Sequence, residues 1–91
     1  QISERDFAFV IDKNYQVGRL DKIIKDLDKN IISVNIFDVF EGGNLPFDKK
    51  SIAINVSLQS EDRTLSDNDL NQISEKIIKE VENKTGGNIR S

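Results

Sequence analysis

Cysteine, histidine, methionine and tryptophan are all absent from this chain of 91 residues, and proline occurs once. Each absence removes a class of chemistry. Without cysteine there is neither a disulfide nor a thiol nucleophile. Without histidine the commonest metal ligand and the commonest general base are missing. No apolar run approaches the roughly 20 residues of a membrane span, and no charged-then-apolar leader opens the chain. No membrane partner is expected. Methionine is missing even at position 1, and apolar, strand-like sequence begins almost at once. A domain cut from a longer chain would look like this, with residues 1–91 as one folded unit. The content, 36% hydrophobic and 32% charged, is that of an ordinary globular domain. The net charge of −3 argues on its face against a polyanionic partner.

Segments with strand and helix periods alternate. Phe7, Phe9 and Ile11 share one face of a short β-prone run, which Asp12-Lys13-Asn14 ends with turn chemistry. Over 16–28, Val17, Leu20, Ile23, Ile24 and Leu27 form the stripe of an amphipathic helix, weakened near its start by Gly18. The segment 31–40 is the richest strand, but its alternation breaks. Val34 and Ile36 have one parity, Phe37 and Val39 the other, and all four are apolar. A β-bulge near Ile36 and Phe37 would turn both pairs inward and leave Asp38 and Phe40 together on the opposite face.

Gly42-Gly43 and Pro46 make 41–48 a loop. The run 50–60 alternates without fault, with Ile52, Ile54, Val56 and Leu58 on one side and Ser51, Ala53, Asn55 and Ser57 on the other. Ser66 followed by Asp69 predicts a helix start resembling a capping box, and Leu70, Ile73, Ile77 and Val81 carry that helix to Gly86-Gly87. Asn88-Ile89-Arg90 can add one last strand. The order β-α-β-β-α-β predicts an α+β fold, the ferredoxin-like split β-α-β sandwich. It would have a four-stranded antiparallel sheet with two helices on one face.

Catalytic motifs are missing: there is no P-loop, no nucleotide-binding glycine fingerprint and no serine elbow. Asp67, Asp69 and Asn71 imitate the opening of a calcium loop, but Gln72 and Ile78 stand where Gly and Glu are required. The acidic first turn of a helix explains them. Asn55-Val56-Ser57 and Asn83-Lys84-Thr85 match the glycosylation pattern, and with no leader sequence in these residues both are expected to be chance matches. Glu61 and Asp62 are adjacent carboxylates in a polar loop, solvated charges rather than an acid–base pair.

The acidity is concentrated. Residues 61–85 hold seven acids against four bases, while sheet edges and loops keep Arg5, Lys49, Lys50 and Arg90. Nucleic-acid binding depends on one face, not on the net charge. The sheet face away from the helices would carry Ala8, Val10, Asp38, Phe40, Ser51, Ala53, Asn55, Asn88 and Arg90. Such a face suits unpaired bases: Phe40 can stack, Asp38 and Ser51 can meet base edges, and Arg90 can stack or hold phosphate. The residues alone leave another class open, a protein-interaction or small-ligand regulatory module whose open face is covered by protein or holds a metabolite. An independent enzyme finds no nucleophile–base pair.

Five segments occur in order: Arg5-Asp6-Phe7-Ala8-Phe9-Val10, Phe37-Asp38-Val39-Phe40-Glu41-Gly42, Lys49-Lys50-Ser51-Ile52-Ala53, Arg63-Thr64-Leu65-Ser66-Asp67 and Gly87-Asn88-Ile89-Arg90. Together they resemble the ferredoxin-fold anticodon-binding domain at the C-terminus of phenylalanyl-tRNA synthetase β subunits, over essentially the whole chain. The resemblance implies binding of the anticodon stem-loop of phenylalanine tRNA by the open face, within an enzyme that has a second, α subunit. It places an aromatic stack at Phe40 and further contacts at Asp38, Ser51 and Arg90, and Lys50 and Arg5 complete the expected RNA-binding set. The family usually has Tyr at Phe40, so the ring is kept and a phenolic hydroxyl is lost. It often has Gly before Lys49, where this chain has Phe47-Asp48. The resemblance also implies ATP and magnesium for the parent enzyme, in domains other than this one; no cofactor and no catalytic residue is expected here.

Overall fold

A computed structural model describes residues 1–90. Strand β1 (Ser3–Asp12) leads through a single 3₁₀ turn, Val17–Arg19, into helix α1 (Leu20–Lys25). Strands β2 (Ile31–Phe40) and β3 (Lys49–Leu58), helix α2 (Asp67–Thr85) and strand β4 (Asn88–Ile89) follow. The strands lie in the order β2-β3-β1-β4, and every neighbouring pair is antiparallel. This is the split β-α-β sandwich that the alternation of periods predicts.

One face of the sheet makes the core. Phe7, Phe9 and Ile11 of β1 stand in register with Ile54, Ile52 and Lys50 of β3, and all but the lysine join the apolar cluster. Leu20 and Ile24 of α1 and Leu70, Ile73, Ile77 and Val81 of α2 close over them. Each fully buried aliphatic or aromatic side chain contributes about 1.5–3 kcal/mol, so this layer fixes which side of the sheet remains open.

The helices differ in how well the sequence specifies them. Ser66 caps α2: its side chain accepts from the Asp69 N–H while the Asp69 carboxylate accepts from the Ser66 N–H, a complete capping box. Gly86, at φ 68°, ends the helix in the left-handed conformation that glycine adopts without strain. Helix α1 is only six residues long, not the 13-residue stretch that the stripe predicts. Gly18 falls in the 3₁₀ turn, no side chain caps the start, and Asp28 ends the segment by accepting from the Asn30 N–H.

The bulge predicted in β2 is present. The pairing with β3 shifts between Ile36 and Asp38, so Phe37 is the extra residue. Val34, Ile36 and Val39 oppose Val56, Ile54 and Ile52 on the core side. Asp38 and Phe40 oppose Ala53 and Ser51 on the other. One part of the expectation is corrected: Phe37 and Val39 stay exposed. Phe37 sits in the bulge itself, and Val39 lies near the end of an edge strand flanked on one side only.

Candidate nucleic-acid interface

The uncovered side of the sheet is built in rows, because residues opposite each other on antiparallel strands share a face. Phe40, Ser51, Val10 and Asn88 form one row across β2, β3, β1 and β4. The next holds Asp38, Ala53 and Ala8, and the N–H of Arg90 extends it by donating to the Ala8 carbonyl at 2.7 Å. Two further rows hold Asn35, Asn55 and Asp6, then Ser33, Ser57 and Glu4.

The first two rows bring together four of the six predicted residues. Phe40 is 49% exposed. A side chain on Gly43 would come within 3.3 Å of the Phe40 ring, so the glycine leaves room for the loop beside it. Asp38 is exposed at the next position on the same face. Ala8 and Ala53 form a floor with little relief, on which a flat ligand can lie. Arg90 Nη1 donates to Ser51 Oγ at 3.1 Å. Ser51 is only 8% exposed.

The other two residues of the expected set, Lys50 and Arg5, lie on the other side of the sheet. Lys50 stands in register with Ile11 on the core side, is 9% exposed, and donates from Nζ to the Tyr15 carbonyl at 2.7 Å. Arg5 opposes Val56 on that same side, and its Nη1 donates to the Glu4 carbonyl. Parity is the physical reason. Lys50 is two residues from Ile52, and Arg5 is two from Phe7, so the pleat sends each toward the helices.

The structure adds residues that sequence patterns did not mark. Ile89 N–H donates to Glu82 Oε2 at 2.9 Å, tying the two-residue β4 to the last turns of α2. Gly87 is required by contact: a Cβ there would lie 2.3 Å from the Val10 carbonyl oxygen and 2.6 Å from the Ile11 side chain. The double glycine was legible as a helix end, but not as a close backbone approach. Asn55 Nδ2 donates to both Asp6 (2.7 Å) and Glu4 (3.1 Å), holding two carboxylates together at the far end of the face.

At the rim beside Phe40, Lys49 pairs with Asp12 at 2.6 Å and Lys13 with Glu41 at 3.5 Å. The hydrogen bond from Lys49 to Asp12 holds its ammonium pKa above the ordinary value. Phe47 projects from the β2–β3 loop, 92% exposed. An open groove of about 650 Å³ along α2 is lined by Leu27, Lys76, Lys79, Glu82, Gly87 and Asn88 among others. Phe40 and Asp38 take no part in it. The open face is a flat, stepped surface: an aromatic, an acceptor-only carboxylate and a guanidinium around two alanines. Flat rings fit such a surface better than a compact metabolite does.

The model of the ferredoxin-fold anticodon binding domain family matches residues 1–90. The chain belongs to that family. It is 42% identical over 91 residues to the phenylalanine–tRNA ligase beta subunit of Rickettsia prowazekii (strain Madrid E), covering 99% of this chain and 11% of that protein. The beta subunit of Rhodopseudomonas palustris (strain ATCC BAA-98 / CGA009) is 44% identical over 87 residues, covering 94% of this chain and 11% of that protein. That of Mesorhizobium japonicum (strain LMG 29417 / CECT 9101 / MAFF 303099) is 44% identical over 91 residues, covering 99% and 11%. The chain therefore spans about one ninth of the length of these curated relatives.

Proposed function

We propose that this domain binds the anticodon stem-loop of phenylalanine tRNA on its open sheet face, as part of a phenylalanine–tRNA ligase. There it would position the tRNA for aminoacylation catalysed in other domains. The observation that carries the proposal is Phe40, half-exposed beside Asp38 over the Ala8–Ala53 floor. An unpaired base stacks on the Phe40 ring. The Asp38 carboxylate, which can only accept, meets a base edge with two adjacent donors, as guanine has. Arg90 holds phosphate with its planar fork of donors. Family membership and the beta-subunit names of the relatives support this reading, and with it a partner α subunit and a cytoplasmic setting. ATP and magnesium would serve the ligase away from this domain.

Binding energy at the anticodon contributes to catalysis by fixing where the acceptor end lies. One base–aromatic stack is worth about 1–3 kcal/mol, so Phe40→Ala should lower kcat/KM for tRNA by about 5- to 150-fold. Aminoacylation of tRNA(Phe) by the ligase carrying this substitution measures it. An unchanged kcat/KM would remove the stacking role.

A further inference from the structure

Ser51 lies at the centre of the open side, where no helix covers it, and yet it is buried. Phe40 flanks it on β2 and Val10 on β1, and its hydroxyl oxygen accepts from Arg90 Nη1 at 3.1 Å. That arrangement leaves it little surface with which to touch a ligand. The two partners also differ in freedom. Ser51 has a single side-chain torsion and sits on a central strand. Arg90 is long, exposed, and one residue past a two-residue edge strand.

We propose that Ser51 acts on RNA through Arg90, as a positioning residue that pins the guanidinium, rather than by meeting a base itself. The inference rests on the RNA-binding reading above. Arg90 is held at three points. Its own N–H donates to the Ala8 carbonyl, the preceding Ile89 N–H donates to Glu82, and Ser51 fixes the far end of the side chain. A guanidinium has five N–H donors. One goes to Ser51, the one side-chain partner of Arg90 among the described residues, and that bond sets the orientation of the guanidinium plane before RNA arrives. A fork oriented in advance loses less freedom when it closes on phosphate oxygens, so the bond to Ser51 strengthens a contact that Ser51 does not make.

The test compares Ser51→Ala, Arg90→Gln, the double variant, Ser51→Thr and Phe40→Ala in the ligase that carries this domain. Binding of a tRNA(Phe) transcript is followed over a range of salt, and thermal melting establishes that each variant folds. Ser51→Ala should weaken binding by about tenfold, as loss of a hydrogen bond to a charged group does. It should also lower the slope of log affinity against log salt by up to about one, in the same direction as Arg90→Gln. The double variant should bind no more weakly than Arg90→Gln, and Ser51→Thr, which keeps the hydroxyl, should stay within about twofold of wild type. Single effects that multiply in the double variant, or a full salt slope in Ser51→Ala, would mean that Ser51 acts on its own. Wild-type binding by Ser51→Ala beside a weakened Phe40→Ala overturns the pin alone. Wild-type binding by every variant overturns the RNA reading with it.

Discussion

The two ends of the open face use similar residues to opposite effect. At the Phe40 end, a ring and a carboxylate stand exposed on an alanine floor, and among the described residues a guanidinium with five donors is held through one of them. At the Glu4 end, Asn55 spends its amide donors on Asp6 and Glu4, so the polar groups satisfy one another. The first end is polar and available; the second is polar and closed, with two negative charges facing outward. Polar character alone therefore does not mark a binding surface. What marks it is whether the groups still have hydrogen bonds and flat faces to offer, and whether their charge suits the partner. By that criterion the proposed RNA contact lies at the Phe40 end, and the carboxylates of the Glu4 end would repel a polyanion.

The contrast between the two ends is most sensitive to Gly87. A Cβ at this position meets backbone of β1, so Gly87→Ala should cost about 3 kcal/mol or more and displace β4 together with Arg90. Chemical denaturation would show the loss of stability, and the Phe40 end should fail to bind RNA before the domain unfolds. Phe40→Ala comes next, with the loss given above. Asp38→Asn replaces an acceptor-only group by one that also donates. It should reduce discrimination between a cognate anticodon and one lacking the paired donors by about tenfold, measured as the ratio of kcat/KM values.

Smaller effects test the supports. Ser66→Ala removes the cap of α2 and should lower stability by about 1 kcal/mol in denaturant melts. Since Ser66 lies at the opposite end of the helix from Glu82, RNA affinity of the folded protein should stay within about twofold. The same cap predicts a pH dependence. The Arg63 guanidinium, with the Ser66 N–H and hydroxyl, holds the Asp69 carboxyl well below the ordinary carboxylate value. A carboxyl lowered on folding stabilises the protein above its unfolded pKa and loses that contribution as the pH falls through the folded value. The melting temperature of the wild type should therefore drop toward that of Asp69→Asn as the pH falls below 3.8, and the two should differ most near neutrality. Smallest of all, Glu4→Gln with Asp6→Asn should leave tRNA(Phe) affinity within about twofold and raise the affinity for unrelated RNA.

Much of this arrangement was legible in the residues. The parity conflict in β2 required a bulge, and the bulge placed Asp38 and Phe40 on one face. Ser66 and Asp69 announced the capping box. Parity likewise assigns Lys50 and Arg5 to the core side, through the alternation that defines β3 and β1. Helix α1 is shorter than its apolar stripe, because a stripe carries no information about where capping fails. Glu82 at Ile89, Asn55 between two carboxylates and Gly87 against Val10 depend on contacts between distant segments, which no local pattern encodes.

The central claim is that RNA occupies one end of one face. It is tested most directly by titrating an anticodon stem-loop of phenylalanine tRNA into the ¹⁵N-labelled domain and following backbone amide shifts. Shifts are expected at Asp38, Phe40, Ser51 and Arg90, with Glu4, Asp6 and Asn55 unmoved. Shifts confined to α1 and α2, or none at millimolar RNA, would contradict it and favour a face that a protein or a small ligand covers.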